Sequence, residues 1–262
     1  MQLELITAGT ESAVRPAGVV FVHGAWHGAW CWQDTFVPHF VQSGYAVYSL
    51  SLRGHGQSVG GGSLRWTRVT DYVEDLAAVT ADLPVPPVLV GHSMGGLVVQ
   101  KYLERRPAAA AVLLASVPPR GVIGGVMRAI RRHPVAFLKA NLTMSLYHLV
   151  ATPDMARHRL FSESTPEEIV AACHPRLQDE SYLAFLDMMV LNLPRPKRVQ
   201  TPMLVMGAAE DTIMSQKDVE ATARAYGTEP VIFPGMGHNM MMEPGWEKVA
   251  DTILEWLAGR GL

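Results

Sequence analysis

Along this chain, short runs that are apolar at nearly every position alternate with longer stretches whose apolar residues recur every three or four positions. The runs 18–24 (GVVFVHG), 45–52, 87–93, 110–116, 202–208 and 230–235 read as strands buried on both faces. The stretches 31–42, 68–83, 95–106, 216–226 and 245–258 read as amphipathic helices. Strand, helix, strand, repeated in this way, predicts an α/β fold: a mostly parallel sheet with right-handed crossovers and helices on both faces. LELIT at 3–7 reads as an antiparallel edge strand.

One segment breaks the rhythm. From Pro118 to Arg198 there are helical patterns and no strand, with candidate helices at 133–150, 164–177 and 180–192. The second has Ser164 or Thr165 as its cap, Pro166 in its first turn and two glutamates behind it. An all-helical insertion between two sheet strands reads as a cap. The expected organisation is a core in two parts, 1–117 and 199–262, with a helical cap at 118–198.

The bulk properties change this picture little. A chain of 262 residues, 48% hydrophobic, buries a full-sized core. A net charge of −2 gives no reason to expect nucleic acid or an anionic membrane surface as partner. The longest apolar stretch, 108–117, is far shorter than the roughly 20 residues of a membrane span. Cys31 and Cys173 are far apart and form no paired motif, and no secretory leader is visible, so a reducing, cytoplasmic location is expected. The sequence is silent on oligomeric state.

The chemistry starts at Gly91-His92-Ser93-Met94-Gly95, which lies between a predicted buried strand and a predicted helix. A serine on so tight a strand-to-helix turn projects its hydroxyl from the sheet edge. Glycines two positions either side remove the collisions such a turn creates, and Gly96 brings helix and strand together. A serine hydroxyl needs a base, and the base needs an orienting carboxylate. Glu210 and Asp211 follow one later strand and His238 follows the next, in the order Ser, acid, His. Asp211 is preferred over Glu210 because Gly-x-x-x-Asp spacing from Gly207 puts it at the loop turn. The loop after 110–116 offers no carboxylate as a rival. Taken singly, Asp211 reads as a loop cap and His238 as a turn histidine; together with Ser93 they read as a triad. His92 is expected to point away from the hydroxyl and His55, in LRGHGQS, to be structural. No histidine pair has a metal-binding spacing with carboxylate support, so neither metal nor other cofactor is expected.

These landmarks resemble the α/β-hydrolase family: Gly-His-Ser-Met-Gly, His-Gly after the first long strand, LRGHGQS after the next, Gly-x-x-x-Asp, and Gly-His near the end. The resemblance covers nearly the whole chain except the insertion. It implies the α/β-hydrolase fold and an oxyanion hole made by the backbone N–H groups of Ala25 and Met94. It also separates the two copies of His-Gly-Ala-Trp at 23–30: the first is the oxyanion turn, with His23 hydrogen-bonding inside the loop, and the second leads into the next helix. HGAWHGAWCW is similar to a loop of plant methylesterases and hydroxynitrile lyases. Ser51 departs from the family, which often has Asp there; a local structural effect is expected.

The residue types favour hydrolysis of a carboxylic ester of a lipophilic small molecule. Trp26 and His27 are candidates to touch substrate, as are Met144, Met188 and Met240 from methionine-rich stretches expected to line an apolar pocket. Arg120, Arg128, Arg131 and Arg132 read as a solvated helix face, with carboxylate binding a weaker option for Arg120. Lactone, thioester and C–C bond hydrolysis stay open. So do perhydrolase or haloperoxidase chemistry, a near-silent ligand receptor, and a hydroxynitrile-type lyase, for which Lys217 is the lysine nearest Asp211.

Overall fold

The computed structural model of the chain describes residues 2–10 and 15–262. Its strands are β1 (Glu4–Ala8), β2 (Val19–Val22), β3 (Val47–Ser51), β4 (Val88–His92), β5 (Ala110–Leu114), β6 (Met203–Ala208) and β7 (Pro230–Phe233). They form one sheet in the order β1-β3-β2-β4-β5-β6-β7, antiparallel only where β1 meets β3. Each predicted strand is present, and the first is the antiparallel edge.

Two-sided burial follows from strand alternation. Val20 and Val22 of β2 pack into one core with α2 (Val69–Ala81) and α3 (Met94–Leu103). Val19 and Phe21, one position out of phase, pack on the other side with α1 (Phe36–Gln42) and α10 (Trp246–Ala258). There Phe21 stacks on Trp32 with ring centroids 4.8 Å apart. Ser215 and Asp218 form a capping box that starts α9 (Gln216–Ala225).

The segment between β5 and β6 contains α4 (Ile123–Arg132), α5 (Pro134–Thr143), α6 (Pro153–Leu160), α7 (Glu167–Cys173) and α8 (Tyr182–Leu186). It differs from the sequence expectation in several ways. The predicted helix over 133–150 stops at Thr143, because Met144 adopts a left-handed conformation (φ 51°). Thr165 does not cap α7; its hydroxyl donates to the buried carboxylate of Glu243. The predicted helix over 180–192 widens into a π turn at Asp187–Leu191, and the freed Met188 carbonyl accepts from Val122 N at 3.1 Å. Helices α4 and α6 had no strong signal: α4 carries Gly124-Gly125, and α6 is two turns long. Gly125 is needed for close approach, since a Cβ there would lie 2.7 Å from the Ile213 carbonyl.

Arg120, just before α4, stays exposed as expected although it is paired, whereas Arg128 of α4 is half-buried, which corrects the expectation for that residue. Arg120 pairs with Asp218 at 2.6 Å, and Arg128 donates to Thr212 O, Ile213 O and Asp218. On the opposite side, Asp187 accepts from Arg68 and from Val69 N, and Gln178 Oε1 accepts from Gly56 N at 2.6 Å. His55 reaches Glu180 at 3.2 Å, both fully buried. Burial opposes charge on His55, but the Glu180 carboxylate outweighs it and raises the histidine pKa. The helical segment is thus fastened on both flanks to the loops at the carboxyl ends of the strands. No helix among the described residues is long and apolar enough to cross a membrane.

Candidate active site

β4 is followed directly by Ser93, whose backbone sits at φ 52°, ψ −116°. The conformation is held from both directions: Ser93 N donates to Leu114 O at 3.0 Å, while Ser93 O accepts from Gly96 N and Val117 N. Such over-determination is what keeps a non-glycine residue in a left-handed conformation. A Cβ on Gly91 would lie 2.6 Å from Gly95 O, and one on Gly95 would lie 2.3 Å from Val22 O and 2.4 Å from His23 O. All these obstacles are backbone, so little can yield. Gly95→Ala is expected to destabilise the protein by about 1–3 kcal/mol, measured as a lower midpoint in chemical denaturation.

The loops after β6 and β7 supply the other two groups. Asp211 Oδ2 accepts from His238 Nδ1 at 2.7 Å, and its Oδ1 accepts from Ile213 N and Met214 N. Glu210 is exposed and takes no part in this pair. The buried His238 ring rests on that of His92, centroids 4.7 Å apart, and His92 Nε2 donates to the His238 carbonyl at 2.9 Å. His92, next to Ser93 in the chain, therefore points away from the hydroxyl and fixes the backbone of His238. Burial, and then repulsion from His238, lower the His92 pKa well below its usual value. With Nδ1 committed to Asp211, Nε2 is the free nitrogen of His238.

The first His-Gly-Ala-Trp closes over Ser93: a Cβ on Gly24 would lie 2.9 Å from Ser93 Cβ. His23 accepts from Leu52 N at 3.0 Å through Nε2, so its Nδ1 is the protonated nitrogen and donates to Gly24 O at 2.8 Å. His27 is held by Asn239 Nδ2 and donates from Nδ1 to Ala25 O at 2.7 Å. Burial lowers the His27 pKa to about 4, so the ring is neutral at physiological pH. The carbonyl of Ala25 is tied down, while its N–H and that of Met94 have no acceptor among the described residues. The second copy is structural: Ala29 N donates to Ser51 Oγ, which itself donates to Glu4, and Trp30 carries Arg176 on its face at 4.4 Å. Glu4 thus supplies the carboxylate at the position where Ser51 departs from the family.

A cavity opens in front of Ser93 between this loop and the helical segment. Ala25, Trp26, Met94 and Met188 line it, with an apolar wall that includes Phe137 and Leu149. The structure corrects three of the sequence-derived binding candidates. His27 is fully buried behind the Ala25 peptide, and Met240 is fully buried in the core packed on the α1–α10 side of the sheet. Met144 terminates α5 and is not on the cavity wall. Lys217 is exposed, which removes the feature that would support lyase chemistry. The wall also contains a charged residue not anticipated, Arg159. No sequence signal distinguishes it from Arg157 two positions earlier.

The sequence profile described as the alpha/beta hydrolase family matches residues 19–252. The monoacylglycerol lipase of Mycolicibacterium smegmatis is 27% identical over 258 residues, covering 92% of this chain and 88% of that one. Methylesterase 3 of Arabidopsis thaliana is 35% identical over 100 residues, 37% of this chain and 38% of its own. The crystal structure of Paleococcus ferrophilus monoacylglycerol lipase superposes with a TM-score of 0.74 at 23% identity, covering 99% of both chains.

Proposed function

Because the chain belongs to the alpha/beta hydrolase family, we propose that it is a serine hydrolase that cleaves a carboxylic ester of a lipophilic small molecule through an acyl-enzyme on Ser93. The single observation that carries this reading is the left-handed Ser93 at the end of β4, on the same sheet edge as the hydrogen-bonded pair Asp211–His238. Ester hydrolysis is also the activity named for the lipase and the methylesterase to which the chain is similar.

In this mechanism Ser93 Oγ adds to the ester carbonyl and His238 Nε2 takes its proton. Asp211 fixes the imidazole tautomer and stabilises the imidazolium. Negative charge develops on the carbonyl oxygen, where the N–H groups of Ala25 and Met94 receive it. Collapse expels the alcohol, which is protonated by His238. A water deprotonated by the same nitrogen then releases the acid and restores the serine. Each proton transfer uses a group of the chain itself. The apolar wall of residues 118–198, read as a cap, lowers the dielectric around the developing charge and accommodates a hydrocarbon part of the substrate.

The test is stoichiometric labelling by a fluorophosphonate, mapped by mass spectrometry to the peptide containing Ser93, beside steady-state hydrolysis of p-nitrophenyl butyrate. Labelling with turnover is the expected result. An unmodified Ser93 would end the proposal, and labelling without turnover would favour a ligand receptor.

A further inference from the structure

Among the described residues, Arg159 is the one charged side chain on the wall of the cavity that contains Ser93. It lies in the last turn of α6, between the fully buried Ala156 and Leu160. Its Nε donates to Leu149 O at 3.3 Å, a long bond, and its Nη groups have no acceptor among the described residues. No carboxylate among the described residues pairs with it. Several other arginines are paired with carboxylates: Arg53 with Asp75, Arg68 with Asp187, Arg120 and Arg128 with Asp218, Arg157 with Glu167. Burial lowers the Arg159 pKa to about 10, which leaves it charged at neutral pH. Its titratable neighbour His133 is itself a base, whose pKa is pushed down by burial and then by Arg159.

Arg159 is half-buried among apolar groups, so its guanidinium is partly stripped of water and has no counter-charge beside it. The bound state restores the balance when a ligand brings the missing anion. The rest of the wall is apolar, and a single fork of N–H donors matches a single planar carboxylate. A doubly charged phosphate would leave charge uncompensated against hydrocarbon. Resting on the hydrolase reading of Ser93, we infer that the preferred substrate is an ester with an aliphatic chain that ends in a carboxylate, held by Arg159 while the ester carbonyl lies at Ser93. The carboxylate belongs either to the acyl part, as in a dicarboxylic half-ester, or to the alcohol part, as in an acylated hydroxy acid.

The experiment compares kcat/KM for monomethyl half-esters, succinate to suberate, with that for the corresponding dimethyl esters. A second arm compares 6-acetoxyhexanoate with its methyl ester and reports which side carries the anion. Wild type is expected to prefer the anionic partner at least tenfold for one chain length, mainly through KM. Arg159→Met should bring that ratio to one or below, and Arg159→Lys should keep part of it. Free dicarboxylates, titrated calorimetrically into Ser93→Ala, should bind and should lose at least tenfold in affinity on adding Arg159→Met. A wild-type ratio of one or less at every length in both arms, without dicarboxylate binding, overturns the inference whether or not the arginine variants fold. If no ester turns over but the dicarboxylate still binds through Arg159, the hydrolase reading fails and the anion site stands.

Discussion

Ser93→Ala should lower kcat/KM for p-nitrophenyl butyrate by at least about 10³-fold, as removal of a triad member does in serine hydrolases generally. The substitution removes the attacking oxygen and nothing that holds the turn. The bonds from Ser93 N to Leu114 O and from Gly96 N to Ser93 O are backbone bonds, and the side-chain hydroxyl takes part in none of the chain's hydrogen bonds among the described residues. Alanine also carries the same Cβ, so strain at φ 52° is not increased. The denaturation midpoint should therefore stay close to that of the parent while the rate collapses. The variant should also lose the fluorophosphonate adduct. A variant that keeps most of its rate would mean that bond cleavage uses some other group.

Asp211→Asn is expected to cost about 10³–10⁴ in kcat/KM, with a smaller effect on KM. Asparagine can still accept from Ile213 N and Met214 N through its carbonyl oxygen, as Asp211 Oδ1 does now. Its amide then faces His238 Nδ1 with donors in place of an acceptor. The imidazole answers by moving its proton to Nε2, which disables the nitrogen that must take the proton from Ser93. An imidazolium would also lack its counter-charge. Far-UV circular dichroism and the thermal midpoint should show a folded protein, and the Nδ1 proton resonance of His238, expected far downfield in the parent, should disappear. Normal turnover by this variant would show that the 2.7 Å contact between Asp211 and His238 is structural only.

Much of this was readable without coordinates, and the reason is locality. Strand period and two-sided hydrophobicity identify β2 to β7, because the alternation that fills both cores is written residue by residue. Gly91, Gly95 and Gly96 announce the elbow, since what they avoid is contact at close range across one turn. Asp211 and His238 stand just past strand ends, so placing the strands places them. The histidines of the two His-Gly-Ala-Trp copies have roles that local spacing does not reveal. His27 was expected to meet substrate, yet it props the Ala25 peptide, a role set by Asn239 more than two hundred residues away in sequence. His92 acts similarly on the carbonyl of His238.

The sequence by itself determined the α/β architecture, the tight turn at Ser93 and the positions of Asp211 and His238 just past strand ends, because each depends on spacing within one element or at its end. Only tertiary structure decided which groups face the cavity. In the helical segment between β5 and β6 the elements are short and their apolar patterns weak, so side-chain direction follows from how helices dock. Arg157 and Arg159 show this plainly: two positions apart on one helix, they point about 200° apart around its axis. One reaches Glu167 outside and the other the wall in front of Ser93.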